Sequence, residues 1–347
     1  MEKLDIKSFS IAEIKNYLKE NNIPQFHGEQ IFVWLHKGVD SFDEMTDLSI
    51  KLRTFLDENF YIYKPQQVES INSTLDETTK YLFTFRDGEY TESVLLKYNH
   101  GYSVCLSTQA GCKMGCKFCA SSHTKFSRNL TVSEILTQID YITRDKRKNN
   151  PEFAIHHIVL MGIGEPLDNY DNTVKFLRIA NDKKGYNIGL RNISVSTCGL
   201  CEKIKMLANE DLPITLSVSL HAPDNKTRDQ IMPINQKHKI EELISTCKEY
   251  SKITNRRISF EYAMIRGIND TPEHARTLKE LLKGMLCHVN LIPLNEIKEN
   301  EFKTSTKEAF SLFTKILKTS KIEVTVRRTL GADINAACGQ LRKNKIL

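Results

Sequence analysis

The chain has 347 residues, of which 40% are hydrophobic and 27% charged, and its formal net charge is +6. This composition excludes a disordered, collagen-like or coiled-coil chain, and the length predicts two domains or one large domain with an attachment. No apolar run approaches the roughly 18–20 residues that a membrane helix needs, and the polar amino terminus does not resemble a signal peptide. We therefore expect a cytoplasmic protein that does not bind a membrane.

The first 60 residues are predicted to form a helical amino-terminal domain. Ser10 with Glu13, and Ser41 with Glu44, match the capping box, in which a serine and a glutamate three residues later satisfy the first N–H groups of a helix. Apolar residues at helical spacing follow the first pair. The region holds 7 Lys and Arg against 11 Asp and Glu, so it is net acidic.

The next 40 residues, 61–100, predict a β-hairpin linker region. Alternating apolar and polar residues indicate strands at Lys80–Phe85 and Tyr90–Lys97. Asp87 and Gly88, between these strands, are typical of a tight turn. The second strand leads directly into a different pattern.

From residue 101 to residue 295, strand and helix patterns alternate six times. Thr131 with Glu134, and Thr271 with Pro272, mark the starts of two of the helices. Repeated strand–helix units predict a parallel sheet, arranged as an open or closed barrel, and hence an α/β fold. The six candidate strands are Ser103–Ser107, His157–Gly162, Asn192–Ser196, Thr215–Leu220, Ser259–Met264 and Val289–Ile292.

Residues 296–347 are predicted to form a carboxyl-terminal extension. Ser305 with Glu308 predicts the start of its helix, and Glu323–Arg327 predicts a final strand. The chain thus divides into four expected regions, with boundaries near residues 60, 100 and 295.

Nine cysteines are present, an odd number in a large chain, which favours metal-binding or catalytic roles over disulfides. Three of them, Cys112, Cys116 and Cys119, form a C-x3-C-x2-C run just after the first barrel strand. Three thiolates on one tight loop can hold three irons of a 4Fe-4S cluster and leave the fourth iron open. The alternative is a zinc site completed by His123 or by another distant ligand.

Two further cysteines, Cys198 and Cys201, form a C-x2-C pair. They lie where a strand gives way to a helix, and this position favours a role in the core over a metal-binding role. Cys247 and Cys287 lie in apolar patterns and are also expected in the core.

Polar or flexible residues stand at the carboxyl ends of the predicted parallel strands, where barrel active sites form. Glycine lets the backbone approach a ligand, and a carboxylate or carbonyl can accept a hydrogen bond from an ammonium group. The candidate cofactor-binding residues are Gly164, Glu165, Ser196, Ser219, Leu220, His221 and Asn295.

The cysteine run, with aromatic Phe118 before its last cysteine, resembles the signature of the radical S-adenosylmethionine (radical SAM) superfamily. The resemblance implies a partial (β/α)6 barrel with a 4Fe-4S cluster held by Cys112, Cys116 and Cys119. It also implies that S-adenosylmethionine chelates the fourth iron and is cleaved to a 5′-deoxyadenosyl radical.

Over nearly the whole chain, the sequence is similar to the RNA adenine methyltransferases of this superfamily, the RlmN/Cfr family. The similarity rests on Asp333–Leu341 with Cys338, on Cys105 in Val-Cys-Leu-Ser-Thr, and on Glu92 in Thr-Glu-Ser-Val-Leu. Gly164-Glu165-Pro166 and Asn290–Pro293 fit the RlmN type, which methylates adenine C2 in 23S rRNA, at the peptidyl-transferase centre, and in tRNA. The alternative within the family is C8 methylation of 23S rRNA, as by the Cfr type.

The family resemblance also implies roles for single residues. Cys338 takes a methyl group from one S-adenosylmethionine, and a second S-adenosylmethionine supplies the radical, so two are used per turnover. The methyl carbon then joins C2 and links the protein to the RNA. Glu92 removes the C2 proton as general base, and Cys105 attacks the sulfur of Cys338, which gives a transient disulfide and releases the RNA.

The charge distribution is compatible with an RNA partner. No acid occurs between Ser93 and Ser133, where five bases occur: Lys97, Lys113, Lys117, Lys125 and Arg128. We expect 23S rRNA and tRNA as substrates, a flavodoxin or ferredoxin as reductant, and a monomer. Competing hypotheses from other classes are a non-catalytic iron–sulfur or zinc module that binds RNA, and an electron carrier.

Overall fold

The computed structural model describes residues 3–342. Met1 and Glu2 of the expected amino-terminal domain and residues 343–347 of the expected extension lie outside the described residues. The helices are α1 (Ile11–Glu20), α2 (His27–Lys37), α3 (Ile50–Asn59), α4 (Val132–Arg147), α5 (Tyr170–Asn181), α6 (Cys201–Ala208), α7 (Asn225–Ile231), α8 (Ile240–Thr254), α9 (Pro272–Leu281) and α10 (Lys307–Lys318). The strands are β1 (Leu4–Asp5), β2 (Phe60–Tyr61), β3 (Gln67–Asn72), β4 (Thr79–Thr84), β5 (Tyr90–Tyr98), β6 (Gly101–Cys105), β7 (Gln109–Ala110), β8 (Arg128–Asn129), β9 (Ile155–Leu160), β10 (Ile193–Thr197), β11 (Thr215–Ser219), β12 (Ile258–Met264), β13 (Cys287–Pro293) and β14 (Glu323–Val326).

A ten-stranded sheet in the order β14-β13-β12-β11-β10-β9-β6-β5-β4-β3 forms the body of the described chain. The six predicted parallel strands are confirmed as β6 and β9 to β13, with ends that differ by at most two residues. The final strand, β14, adds a seventh parallel strand beside β13. Since β14 and β3 are free edges, the sheet does not close, and the fold is the expected α/β partial barrel with a helical amino-terminal region.

The hairpin expected as a linker is part of this same sheet. β4 and β5 pair antiparallel, and β5 pairs antiparallel with β6, the first barrel strand. In this register Val94 lies opposite Cys105, so Glu92 is two residues from the pair.

The edge strand β3, which pairs with β4, was not predicted. Most of its side chains are exposed, so its sequence lacks the alternation of apolar and polar residues that indicates a strand.

Helix α4 shows how local sequence sets an element. Thr131 caps it, since the Thr131 side chain accepts from the Glu134 N–H and the Glu134 carboxylate accepts from the Thr131 N–H, as the capping box predicts. Ile135 and Ile139 then bury fully against the sheet, which stabilises the fold by about 1.5–3 kcal/mol for each side chain.

Two predicted helix starts are wrong. Ser41 and Glu44 do make both capping-box contacts, but these close a single 3-10 turn, and α3 begins only at Ile50 behind Ser49. The last helix begins one residue later than predicted, because Thr306 caps α10 while Ser305 donates its hydroxyl to Asp270 at 2.7 Å. Capping-box hydrogen bonds can therefore form without an α-helix following them.

The amino-terminal helices dock on the barrel through a buried ion pair. Lys7 and Asp140 of α4 are both buried and pair with each other, and the Tyr186 hydroxyl donates to the same carboxylate at 2.6 Å. Replacing either residue of the pair with an uncharged one would leave a buried unpaired charge, which typically lowers the free energy of unfolding by about 3–5 kcal/mol. Among residues 3–342, no helix is long and apolar enough to cross a membrane.

Candidate active site

The carboxyl ends of the parallel strands surround an open cavity with about 160 Å³ of water-accessible space. Residues from the loops after β6, β9, β10, β11 and β13 meet there, because parallel strands all end at the same edge of the sheet. The predicted site residues that line it are Cys112, Cys116, Cys119, Gly164, Glu165, Ser196, Ser219, His221, Asn295 and Cys338.

The cysteine loop is folded by glycine and by backbone hydrogen bonds. Gly111 has φ +81°, and a Cβ there would lie 2.2 Å from the Lys125 carbonyl oxygen, so only glycine fits. The Cys119 N–H donates to the Cys116 carbonyl at 3.1 Å, and the Lys117 N–H donates to the Ile231 carbonyl at 3.0 Å. The loop is thereby held against the segment that follows α7.

The three thiols of this loop fit a cluster better than a single ion. Within residues 3–342, they are not among the groups of side chains close enough together to hold one metal ion, and His123 does not join them. His123 instead points its Nε2 towards the Lys117 carbonyl at 3.5 Å. Three soft donors spread around one cavity match the three occupied corners of a 4Fe-4S cluster.

Burial raises the pKa of all three thiols, to about 12 for Cys112. These thiols are therefore protonated without a metal, and a bound cluster has to displace the protons. Apolar side chains (Met114, Phe118 and Met232) pack around the loop.

Gly164 and Glu165 form the floor of the cavity after β9. Gly164 has φ +108°, and a Cβ there would meet the Gln109 side chain at 2.6 Å. The buried Glu165 carboxylate accepts from the Cys198 N–H at 2.7 Å and the Leu167 N–H at 3.0 Å. The Cys198 and Thr197 side chains also form hydrogen bonds with this carboxylate, which lines the cavity.

His221 adds a neutral imidazole to the cavity. Burial, with the nearby Arg228 cation, lowers the pKa of His221 to about 3. The Ala263 N–H donates to Nδ1 at 2.9 Å, so the ring proton is on Nε2, and Phe118 meets the ring edge-on at 4.8 Å. Leu220, the predicted residue beside it, does not line the cavity; its side chain is buried and its carbonyl accepts from Arg228.

A second, smaller cavity adjoins the first and is lined by both Cys105 and Cys338. Both are free thiols. Burial, and secondarily the neighbouring Cys338, raises the pKa of Cys105 to about 12. Cys338 lines both cavities and therefore stands between the cysteine loop and Cys105.

Hydrogen bonds hold the segment from Cys338 to Arg342 over the cavity. Asn295 donates to the Cys338 carbonyl at 2.9 Å, and the Ala120 N–H donates to the Gly339 carbonyl at 2.7 Å. Ser121 donates its hydroxyl to the Leu341 carbonyl at 2.7 Å. These contacts fix Cys338 against the cysteine loop, far from it in sequence.

Glu92 is buried beside this segment and lines neither cavity. Its carboxylate pairs with Lys80 at 3.1 Å and accepts from the Arg342 N–H at 2.7 Å. Burial raises the pKa of Glu92, and the Lys80 cation opposes that rise. A partly desolvated carboxylate of this kind is well suited to act as a general base.

Arg327 is a site residue that sequence reasoning missed. It follows β14 and lines both cavities, and its side chain is 18% exposed. The neighbouring Cys338 is the main cause of a raised pKa of Arg327, so the Arg327 guanidinium lies close to Cys338. Arg327 lies at the carboxyl end of a parallel strand, as the other site residues do, and this position could have identified it as a site residue from the sequence.

Three of the five bases between Ser93 and Ser133 form ion pairs with acidic residues from other parts of the chain. Lys97 pairs with Glu77, Lys113 with Asp168, and Arg128 with both Asp87 and Glu134. Two other bases of this stretch are exposed and make no ion pair within residues 3–342; they are Lys117 and Lys125.

Comparison with known proteins agrees with this geometry. Residues 106–281 match the Radical SAM superfamily, and residues 4–62 match the ribosomal RNA large subunit methyltransferase N-terminal domain. A probable dual-specificity RNA methyltransferase RlmN of Clostridium beijerinckii is 50% identical over 346 residues, covering 99% of this chain and 96% of the relative. The chain belongs to the RlmN family of radical SAM RNA methyltransferases.

Other RlmN relatives and one solved structure extend the match over the whole chain. The RlmN of Alkaliphilus oremlandii is 49% identical and covers 100% of this chain and 99% of its own length. The crystal structure of a radical SAM methyltransferase from Sphaerobacter thermophilus superposes with a TM-score of 0.92 at 38% identity, covering 98% of this chain and 100% of that one. The chain is thus a radical SAM methyltransferase, and the superfamily implies a 4Fe-4S cluster and S-adenosylmethionine.

Proposed function

We propose that this RlmN family member methylates C2 of adenine in 23S rRNA and in tRNA, through a methyl group carried on Cys338. The observation that carries the proposal is that Cys105 and Cys338, both outside the cysteine triplet, line one cavity that adjoins the triplet. One methyl carrier and one resolving thiol are what such a route requires.

The chemistry of the target explains the need for a carrier. Adenine C2 lies between two ring nitrogens and has no electron pair with which to attack a methyl sulfonium, so direct displacement fails. A thiolate, in contrast, accepts a methyl group readily. The methyl carbon is therefore taken up first by sulfur and then delivered to C2.

Cys112, Cys116 and Cys119 would hold the 4Fe-4S cluster, and Gly164, Glu165, Ser196, Ser219, His221 and Asn295 would bind S-adenosylmethionine. Leu220, also predicted to bind it, would instead position its neighbours Ser219 and His221. When bound, the cluster supplies one electron for the cleavage of S-adenosylmethionine, which opens a radical route to C2. We propose two S-adenosylmethionine molecules per turnover, since Cys338 consumes one as methyl donor.

Cys338 accepts the methyl group as a thiolate, and the adjacent Arg327 cation stabilises that thiolate. After the methyl carbon has bonded to C2, the sulfur of Cys338 links protein and RNA. Glu92, buried beside the same segment, takes the C2 proton. Cys105 then attacks the sulfur of Cys338, which forms a disulfide and breaks the bond between that sulfur and the bridging carbon. The carbon takes up a proton to become the methyl group, and the methylated RNA is released.

The remaining regions are assigned supporting roles. We propose that residues 1–60 help to bind RNA, that residues 61–100 join them to the barrel of residues 101–295, and that residues 296–347 present Cys338. A flavodoxin or ferredoxin would supply the electron, and the enzyme would act as a monomer. The positions of the exposed Lys117 and Lys125 beside the cysteine loop favour RNA approach from the open side of the cavity.

Nucleoside mass spectrometry of RNA from a deletion strain tests this function. The strain is complemented with the wild-type chain or with Cys338→Ala, and 23S rRNA and tRNA are digested separately. We expect 2-methyladenosine in both RNAs with the wild type and in neither with the variant. 8-Methyladenosine would favour the Cfr-type alternative, and no change in either RNA, despite a loaded cluster, would favour a non-catalytic RNA-binding module.

A further inference from the structure

Away from the cavities, Cys201, His238 and Glu242 come together where two helices of the barrel begin. Cys201 is the first residue of α6, His238 precedes α8, and Glu242 lies in the first turn of α8. The Cys201 sulfur, a ring nitrogen of His238 and a carboxylate oxygen of Glu242 all lie within 4.8 Å of one another. The C-x2-C pattern at Cys198 and Cys201 did not predict this group, because its other members come from a different helix.

His238 provides a second, independent observation. Its side chain is only 3% exposed, yet its Nε2 atom makes no hydrogen bond with any residue of the described chain. A buried ring nitrogen without a partner is costly unless something binds it. The other nitrogen, Nδ1, lies 3.1 Å from the Glu242 carboxylate.

A fourth donor stands beside the unpartnered nitrogen. The Glu202 carboxylate, next to Cys201 on α6, lies 3.5 Å from His238 Nε2, too far for a good hydrogen bond. A metal-binding histidine usually has a carboxylate at its second nitrogen, which fixes the ring. Whichever nitrogen of His238 binds a metal, the other therefore has a carboxylate available.

We propose that Cys201, His238 and Glu242 bind one zinc ion, with Glu202 as a fourth ligand or as the partner of the second ring nitrogen. The donor set of one sulfur, one imidazole and one or two carboxylates is typical of zinc, and two or three anionic donors neutralise its charge. The site is separate from the cluster loop and does not depend on the function proposed above.

The proton balance of zinc binding is simple. Burial raises the pKa of Cys201 to about 11, so the free thiol is protonated at neutral pH. Zinc binding replaces that proton, and one proton is released to solvent for each ion bound. No oxidant or reductant takes part.

The position of the site suggests a structural role. His238 belongs to the segment between α7 and α8. The carbonyl of Ile231, the last residue of α7, accepts from the N–H of Lys117 in the cysteine loop. Zinc would link this segment to α6. It would thereby stabilise the position of the end of α7, which contacts the cysteine loop.

Zinc binding is tested on the anaerobically purified, cluster-loaded full chain. After dialysis against a mild chelator, zinc is titrated in competition with a chromophoric chelator, and zinc and iron are counted by mass spectrometry. We expect one zinc per chain with the iron unchanged. The zinc absorption edge, which iron does not obscure, should show one sulfur at about 2.3 Å and nitrogen or oxygen at about 2.0–2.2 Å.

Matched variants assign the ligands. Cys201→Ser and His238→Asn should each weaken zinc binding by more than the roughly 10- to 100-fold that loss of an outer partner costs, and Glu202→Gln by about that amount. Cys287→Ser and Glu249→Gln, a buried thiol elsewhere and an exposed carboxylate on α8, should leave the affinity unchanged. Iron content and circular dichroism show that each variant is folded.

The wild-type measurement decides the proposal even if a variant does not fold. Failure to bind zinc at micromolar concentration would overturn it. So would an absorption edge with three sulfurs, which would place the zinc in the cluster loop, or equal affinity in folded Cys201→Ser and His238→Asn proteins.

Discussion

The cysteine loop and the Cys105–Cys338 pair use the same thiol chemistry but are built in different ways. In the loop, three cysteines within eight residues are arranged by a glycine turn and short-range hydrogen bonds. The pair is assembled by the sheet and by the carboxyl-terminal segment, from Cys105 at the end of the first barrel strand and Cys338 in the extension that follows the barrel. The chemistry of a local motif can be predicted from neighbouring residues in the sequence. A site assembled from distant residues depends on the tertiary contacts that bring those residues together.

The largest expected effect is on the loop. Cys112→Ala, Cys116→Ala or Cys119→Ala removes one of three cluster ligands and leaves no replacement, since His123 points elsewhere. We expect loss of the cluster and of all methylation in each variant, measured as iron and sulfide content and as 2-methyladenosine. Cys247→Ser, a buried cysteine on α8, is the control and should keep its iron. Near-normal iron with full activity in any loop variant would contradict the ligand assignment.

The contrast between the two groups explains what the sequence could predict. The six barrel strands, the capping boxes at Ser10 and Thr131, and the cysteine loop depend on neighbouring residues, and the structure agrees with them. The pairing of Glu92 with Lys80 and the place of Arg327 depend on register and packing between distant elements. The roles proposed for Glu92, Cys105 and Cys338 rest on family resemblance. No local pattern distinguishes an isolated cysteine or glutamate with a catalytic role from one with a structural role.

The assembled pair is expected to be sensitive to Arg327. Arg327→Met removes the cation beside Cys338 without touching the cluster loop, so the thiolate loses its partner. We expect methyl transfer to Cys338 to slow by roughly 10-fold or more, with S-adenosylmethionine still cleaved. Arg327→Lys should recover part of the rate, and Arg276→Met, at an exposed position on α9 that lines neither cavity, should change little. Intact-protein mass spectrometry of Cys338 methylation over time gives the rates, and equal rates in wild type and Arg327→Met would exclude this role.

A smaller, pH-dependent effect is expected at Lys80. Burial raises the pKa of Glu92 and Lys80 opposes it, so Lys80→Met should raise that pKa further. A base works only when deprotonated, so activity is present above its pKa and is lost as pH falls through it. The acid limb of the rate should thus move to higher pH in Lys80→Met and recover as pH rises. Glu92→Gln should lose about 10²- to 10⁴-fold at every pH. An unshifted acid limb in Lys80→Met would show that Glu92 is not the base.

The smallest effect is expected in the amino-terminal helices. Lys19 and Lys37 are exposed, and Lys37 lies over the Trp34 ring at 4.9 Å, whereas Lys15 is already paired with Glu29 at 2.7 Å. Lys19→Gln and Lys37→Gln should each weaken RNA binding a few-fold and reduce its salt dependence by about one phosphate contact. Lys15→Gln should have less effect, and none of the three should change S-adenosylmethionine cleavage. Filter binding across a salt series measures this, and unchanged affinity in the double variant Lys19→Gln/Lys37→Gln would remove these helices from RNA binding.

The most direct test of the Cys105–Cys338 route is to trap its covalent intermediate. Cys105→Ala leaves no thiol to attack the sulfur of Cys338, so the bond between protein and RNA should persist after expression in cells. Denaturing gels and peptide mass analysis should then show a nuclease-sensitive mass on the peptide that contains Cys338. Cys338→Ala and the double variant should show none. Free, unmodified Cys338 in cluster-loaded Cys105→Ala protein, with methylated RNA still produced, would contradict the proposed route and remove both cysteines from it.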